Sequence, residues 1–555
     1  MIEADFSQSE VTIPVVSGHE TTGRTSVWLA LMWSLLALVP IIAFYVAHFL
    51  QEGVPLGFIM VDLPYYCANG REIFEGGNGV MYANPYDWSS EAPTIYFQWL
   101  IWLYGALIIK LGFDPGVQFV AIGAITSWIF SYLSFRIVEA SLSSRRFLGL
   151  LYLLTMWGGG FYIVFTIGIN LKDSQSAFTD LQRYMPYHGW WFMNWGSNAF
   201  LPHEAVYHSL VAATWLALMR QRTWLAALTV SLVAATHPFT GLQHLAAVGL
   251  WFTLQFNQRR TLTTLVPVLA VGGVSAVFLS YYMLYLPSFT AHSSLESAWR
   301  VGIWDLCQRD LCLAYGPVAA LAFCRLVTDP DWKTTTTPYF LLTALVTFCL
   351  IKHDVVLAHH KQPIHFTRGY LWMPLMLIGL PYVQREICRL YDESSKLYAI
   401  GMTLLLFVVA YADNAAWIAC EWPQHAGNQY ISTMDKSVPF VLTENQWDIV
   451  ENFAESGSQQ DQVLCSDREL SYLLPTYSAV KVYLGHRFNT PDYEARRANV
   501  EHWLETGEYG DWFEQVTVIV VEKSKTSIHF GQPWEMRYSN ADYEIYVRRS
   551  VGNRP

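Results

Sequence analysis

The sequence predicts a polytopic α-helical membrane protein with a small C-terminal α/β domain, and three observations carry that prediction. Of its 555 residues 53% are hydrophobic and 15% aromatic, but only 14% are charged, where soluble globular chains carry about a quarter. Runs of about 20 apolar residues, each long enough to cross a bilayer, recur along the first three quarters. The residues after Cys420 hold 20 acidic and 12 basic side chains, so most of the net charge of −11 sits on one polar tail. Composition excludes a soluble multidomain chain. Charge excludes a nucleic-acid binder, because no basic face is available to displace counterions from phosphates. The eight cysteines form no CxxC pair, which argues against a structural zinc site or a redox motif.

In chain order, residues 1–27 are expected to be a cytoplasmic tail, since MIEADFSQSE lacks the basic region of a cleaved signal peptide. Trp28 to Leu50, preceded by Arg24, reads as an uncleaved signal anchor. Twelve apolar segments follow a helical reading: 28–50, 97–112, 116–137, 147–168, 205–219, 223–236, 242–257, 262–286, 313–328, 338–352, 369–383 and 397–418. If all twelve span, the clusters Arg145/Arg146, Arg220/Arg222, Arg259/Arg260 and Arg385/Arg389 fall outside, against the positive-inside bias. Reading 97–112 as an interfacial or dipping piece reverses this. It leaves about eleven spanning helices, a transmembrane domain over 28–419 and an external tail.

Segments 223–236 and 242–257 are short for a bilayer core of about 30 Å. Their junction, HPFTGLQH, is therefore expected below the membrane surface, where irregular backbone survives only against protein or a wet cavity. Four stretches are expected outside: 51–96, 170–203, 287–312 and 352–368. The first is too long for a plain connector and rich in turn residues; aromatic density in the first two fits an interfacial belt. In the third, DLCQRDLC places Cys307 and Cys312 where a disulfide is chemically permitted. Over 420–555, VLCS, AVKVYLGH, VTVIVVEK and YEIYVRR read as short strands, with helices at 441–455 and 491–505.

Candidate site residues fall in these stretches. Asp62, in VDLPYY, is an acid just past the first helix, placed either to act as a general base on an acceptor hydroxyl or to cap a helix or pair with Arg71. HEAVYH is not a zinc-protease helix, because His203 and His208 are five apart and diverge by about 140°; His203 and Glu204 are instead either cavity-facing groups or a polar helix start. HHKQPIHFTRGY places Lys361, His365 and Arg368 before an apolar helix, as phosphate ligands or as snorkelling anchors. His359 and His360 add to the cluster, but no DxD or DE pair joins it from the first loop, so metal ranks behind phosphate. His237, in THPFTG, either faces a functional cavity or caps a broken helix.

An apolar first helix, a long external loop with an early acid, many further helices and an external C-terminal domain together resemble the GT-C superfamily of integral-membrane glycosyltransferases. The tracts HPF at 237–239, FTRGYLWMPL at 366–375 and LPTYSAVKVYLGHRFNTPDY at 474–493 are similar to those of an uncharacterised bacterial branch. The resemblance implies transfer of a sugar from a polyprenyl-phosphate donor to a glycan, lipid or protein acceptor on the extracytoplasmic side of the bacterial inner membrane. It implies inversion, and Asp62 as the catalytic carboxylate. Leu63 stands where several branches carry a second acid, so a metal-independent reaction with no cofactor is expected. On this reading Arg368, with Lys361 or His365, neutralises the departing lipid phosphate, and His237, Arg183, Glu204 and His203 line the sugar cavity. A non-enzymatic flippase of lipid-linked sugars is the alternative from another class, and an inactive glycan-binding scaffold is a third.

Overall fold

The computed structural model describes residues 25–60, 62–89, 91–181, 183–185, 194–299, 306–357, 361–425, 440–525, 531 and 533–549. They divide into two compact units. The first comprises Met1–Val39, Thr126–Phe278 and Gly302–Ile418, and the second Pro40–Ile125, Leu279–Val301 and Ala419–Pro555.

Apolar helices dominate the first unit, but fewer are long enough to span than the sequence suggests. Among the described residues, Pro115–Ser141, Leu262–Ser288, Gln308–Thr328 and Lys396–Cys420 are long and apolar enough to cross a membrane. Counting two bent pairs as single spans brings the total to six, against the eleven expected. Part of the difference is length, because segments 223–236 and 338–352 form helices shorter than 18 residues. Segment 28–50 bends by 54° between Val27–Ala37 and Val39–Phe49, and segment 147–168 bends by 65° between Leu148–Trp157 and Tyr162–Lys172. Trp99–Leu111, Thr223–Thr236 and Thr337–Ile351 are apolar but shorter than 18 residues.

The second break is held by polar side chains from another helix. Asp413 is fully buried and accepts the backbone N–H groups of Tyr162 (3.3 Å) and Ile163 (2.9 Å), two of the orphan donors at the start of Tyr162–Lys172. Asn414 donates to the carbonyl of Trp157 at 2.6 Å and accepts from the Asn194 amide at 2.8 Å. The expected break at HPFTGLQH is present: Thr223–Thr236 ends, His237 is extended (φ −144°, ψ 121°), and Pro238–Arg259 begins.

Two sequence expectations are corrected in this unit. Residues 194–200 are buried within it, with Trp195 fully enclosed and stacked on Trp215 at 5.2 Å, so this part of 170–203 is core and not an interfacial belt. Cys307 and Cys312 are free thiols. Cys307 caps the Gln308–Thr328 helix and Cys312 lies inside it, so the helix carries the two apart around its axis.

In the second unit the helix Leu63–Glu75 packs along Trp99–Leu111. Contact is made at glycines: a Cβ on Gly105 would fall on the Gly70 carbonyl, and one on Gly70 would lie 2.6 Å from the Gly105 nitrogen. Among the described residues seven short strands belong here: β1 (Val54–Pro55), β2 (Val441–Leu442), β3 (Gln462–Cys465), β4 (Lys481–Val482), β5 (Val518–Glu522), β6 (Trp534–Ser539) and β7 (Tyr543–Arg548). β1 and β2 pair antiparallel, with Val54 opposite Leu442. The others form one sheet in the order β4-β3-β5-β7-β6, parallel across β4-β3-β5 and antiparallel beyond. Helices Glu444–Ser456, Arg468–Tyr477 and Tyr493–Thr506 accompany it. Trp88, from the loop expected over 51–96, is buried in this domain's core with Tyr483, Trp503, Phe513 and Ile519.

Candidate functional site

Asp62 stands at the N-terminus of Leu63–Glu75, where Pro64 occupies the first turn and lacks the N–H that would otherwise be an orphan. Its side chain makes no capping bond, and Arg71 pairs with Glu75 at 2.5 Å, so neither structural expectation for Asp62 describes it. Instead its Oδ1 lies 2.9 Å from Nε2 of His486, 424 residues away in the chain. The His486 ring is oriented from its far side: Nδ1 receives the Phe488 backbone N–H at 3.2 Å and the Asn489 side-chain amide at 2.7 Å. A nitrogen that accepts carries no proton, so Nε2 bears it and donates to Asp62. The Asn489 carbonyl is held in turn by the Asn84 amide at 2.5 Å.

Aromatic rings enclose this pair. His486 lies 5.3 Å from the Tyr65 ring, 5.4 Å from Tyr472, 6.1 Å from Phe488 and 6.2 Å from Tyr86. The histidine side chain is 5% exposed while that of Asp62 is 51% exposed. One carboxylate oxygen is thus fixed from behind while the side chain stays open, at a helix N-terminus whose dipole favours the charged form. Burial pushes the Tyr65 hydroxyl up to about 12, with the Asp62 charge adding to the shift, so Tyr65 is a neutral neighbour.

Two other acids of the loop are engaged elsewhere, and a third is exposed. Glu72 is 7% exposed and pairs with Lys481 at 2.8 Å; burial holds its carboxyl above the usual range, opposed by that lysine. Asp87 is buried and accepts the Ser89 N–H at 3.0 Å, and Glu91 is exposed.

A second cluster lies within the first unit. Pro202–Met219 opens with His203 and Glu204, both buried. Arg368 is 4% exposed, which excludes a snorkelling role. Its Nη1 donates to Glu204 Oε1 and, at 2.7 Å, to the Tyr207 hydroxyl, while Nη2 meets His365 Nδ1 at 2.7 Å. His208 lies between the two segments, its Nδ1 2.9 Å from the Glu204 carbonyl and its Nε2 3.0 Å from the Arg368 carbonyl, and the single N–H of a neutral ring donates to one of them. Arg368 and Gly369 both have positive φ, 28° and 74°, a strained corner for the arginine that turns the chain into Trp372–Glu393.

His237 caps Pro238–Arg259, its Nδ1 accepting the Thr240 N–H at 3.2 Å, and its ring stacks on Tyr207 at 4.7 Å. His365 stacks on Phe239 at 4.8 Å. His203 Nε2 is 3.8 Å from Glu204 Oε1. Among the described residues, Glu204 Oε2 and both ring nitrogens of His244 are buried without a hydrogen-bond partner.

The structure therefore brings together Arg368, His365, Glu204, His203 and His237, and gives Asp62 a different partner set. Lys361 is exposed, with its backbone N–H on His353 Nε2 at 2.8 Å. Arg183 is exposed and lies over the Tyr184 ring; none of its contacts is with the cluster residues. His359 and His360 lie outside the described residues. Among the described residues no group of three or more His, Cys, Asp or Glu side chains is placed to hold a metal ion.

Sequence reasoning missed His486, Tyr207 and His208. The tract LGHRFNTPDY contains the first, but nothing local pairs it with Asp62. HEAVYH contains the other two: the five-residue offset that removes a zinc helix places the His208 ring between carbonyls of two segments.

No family model matches the chain, and no curated protein matches it. Among solved structures it is similar to the oligosaccharyltransferase of Archaeoglobus fulgidus, crystallised with a tethered acceptor peptide containing the NVT sequon. That likeness has 8% identity, covers 90% of this chain and 69% of that one, and has a TM-score of 0.44.

Proposed function

We propose that this protein is an integral-membrane glycosyltransferase that moves a sugar from a polyprenyl-phosphate-linked donor to an acceptor hydroxyl, with Asp62 as the general base. The observation that carries the reading is a half-exposed carboxylate at a helix N-terminus, fixed through one oxygen by a buried histidine. Base-assisted attack needs a carboxylate held within about 3 Å of the proton it removes, and such transfer contributes about 10²–10⁴-fold. As the acceptor oxygen bonds to the anomeric carbon, its proton passes to Asp62, and the bond to the phosphate oxygen breaks with its electrons on the phosphate. Lys361, His365 and Arg368 are assigned to that phosphate. Arg368 offers the geometry of a fork, and a phosphate there must compete with Glu204 for the guanidinium.

The test uses the full chain in proteoliposomes with a panel of polyprenyl-phosphoryl hexoses and pentoses, scoring release of labelled sugar to water or to added glycan. Turnover of at least one donor is expected, and Asp62→Asn should lower it by about 10²-fold or more. Movement of intact donor across the bilayer with no cleavage would establish the flippase reading in its place.

A further inference from the structure

Among the interactions around Asp62, the buried histidine is the one whose geometry asks for a functional account. A surface carboxylate at a helix start ordinarily caps that helix or points to water. Here the side chain makes no cap bond and is met by a ring delivered from the far end of the chain, through four separate restraints. Nδ1 accepts two N–H donors, from Phe488 and Asn489. Asn84 anchors Asn489 by its carbonyl. Tyr65, Tyr86, Tyr472 and Phe488 lie against the ring, and the side chain is 5% exposed. Together these determine both the ring plane and the tautomer, and their common result is one N–H aimed at Asp62 Oδ1.

We propose that His486 is a positioning residue for Asp62: it fixes the rotamer of the carboxylate and keeps it ionised, so that the half-open side chain faces the acceptor in one orientation. His486 does not exchange a proton in the reaction. Its Nε2–H stays in place, because the acceptor proton goes to the carboxylate while Nδ1 stays occupied by its two donors. Among the described groups near the Asp62 carboxylate, Tyr65 and Tyr472 are neutral neighbours, and the His486 N–H is a donor that favours the ionised form. The proposal rests on the reading of Asp62 as base, and it adds that orientation of that base is the task of a residue outside the 51–96 loop.

The test compares full-length wild type, His486→Gln, His486→Ala and Asp62→Asn. A glutamine amide nitrogen sits near the place of Nε2 and donates, and alanine does not. Expected for His486→Ala is a kcat about 10- to 100-fold lower on whichever panel donor turns over, with the donor KM unchanged, since misplacement by about 1 Å costs about that much. His486→Gln should recover most of kcat. In parallel, mass spectrometry reads the rate at which a water-soluble carbodiimide modifies Asp62 at pH 6. These reagents attack protonated carboxyls, so His486→Ala should be modified several-fold faster than wild type and His486→Gln at nearly the wild-type rate.

A kcat in folded His486→Ala equal to wild type, or equal carbodiimide rates in all three proteins, overturns the positioning role. So does an equal loss of kcat in the alanine and glutamine variants, which marks a packing residue. If the panel gives no turnover, the carbodiimide comparison decides alone. Full activity in Asp62→Asn is a different result: it removes the base assignment while leaving the carbodiimide comparison to report the contact itself.

Discussion

Arg368, singled out in the sequence as a cation before an apolar helix, lies in an unexpected setting. Its motif announced a cation at a helix mouth. The fold buries it against Glu204, Tyr207 and His365. Removing one partner of a buried ion pair leaves an uncompensated charge and costs about 3–5 kcal/mol, so Glu204→Leu should lower unfolding stability of the detergent-solubilised protein by that order. Arg368→Lys should also destabilise, because an ammonium is not planar and does not reach three partners at once. Wild-type thermal unfolding in both variants would show that the cluster carries no stability. Asp62 was picked out in the sequence by its place just past the first helix. His486 was not: histidine is an ordinary residue in LGHRFNTPDY, and a pairing 424 residues distant leaves no local trace. His237 was half legible, since the proline after it marks a helix start, and the cap to Thr240 is the local reading of that pattern.

At the scale of elements, strands and helix breaks followed from short-range rules, while the devices that hold them did not. The tail strands VLCS, AVKVYLGH, VTVIVVEK and YEIYVRR correspond to β3, β4, β5 and β7, and the two expected tail helices are present. β6 was passed over although WEMRYS alternates apolar and polar residues, the pattern of a strand with one covered face; it is the edge strand of its sheet, with an exposed middle. Nor did the sequence announce that Asp413 would cap a helix on another segment. Its carboxylate serves the two backbone N–H groups of Tyr162 and Ile163, so Asp413→Ala should expose both as buried orphans at about 1–3 kcal/mol each. Hydrogen exchange confined to 158–166 should rise first, and unchanged exchange there would assign the capping to other groups. Gly105 gives a sharper case. A methyl group on it collides with the Gly70 carbonyl, so Gly105→Ala must separate the helix that begins beside Asp62 from its neighbour. A loss of about 1–3 kcal/mol is expected from such overpacking, and a variant as stable as wild type would mean that the two helices shift apart freely.

For the whole molecule, acidity and topology provide separate tests. Burial, helped by the Asp467 charge and opposed by Lys525, raises Glu469 from 4.5 to about 7. Its folded form therefore binds the proton more tightly than the unfolded chain. The contribution is fully present below about pH 4.5 and is lost as pH rises through about 7, at up to about 1.4 kcal/mol per pH unit. Glu469→Gln should flatten that decline in thermal unfolding of the full chain measured from pH 5 to 8, and an unaltered slope would place the titration elsewhere. Topology follows from contacts within the second unit. β1 pairs with β2 across Val54 and Leu442, Lys481 reaches Glu72, and His486 reaches Asp62. A bilayer cannot pass between partners in hydrogen-bond contact, so the loop that carries Asp62 and the domain after Cys420 must occupy one and the same side of the membrane. The positive-inside reading of the arginine clusters predicts that this side is the extracytoplasmic one. Single cysteines introduced at Asn78, beside an exposed turn, and at Ser456, at an exposed helix end, should both react with an impermeant maleimide in intact cells. Reaction of both only after permeabilisation would keep the shared side and invert the orientation. Reaction of one alone before permeabilisation would contradict the strand pairing and the Asp62–His486 bond together.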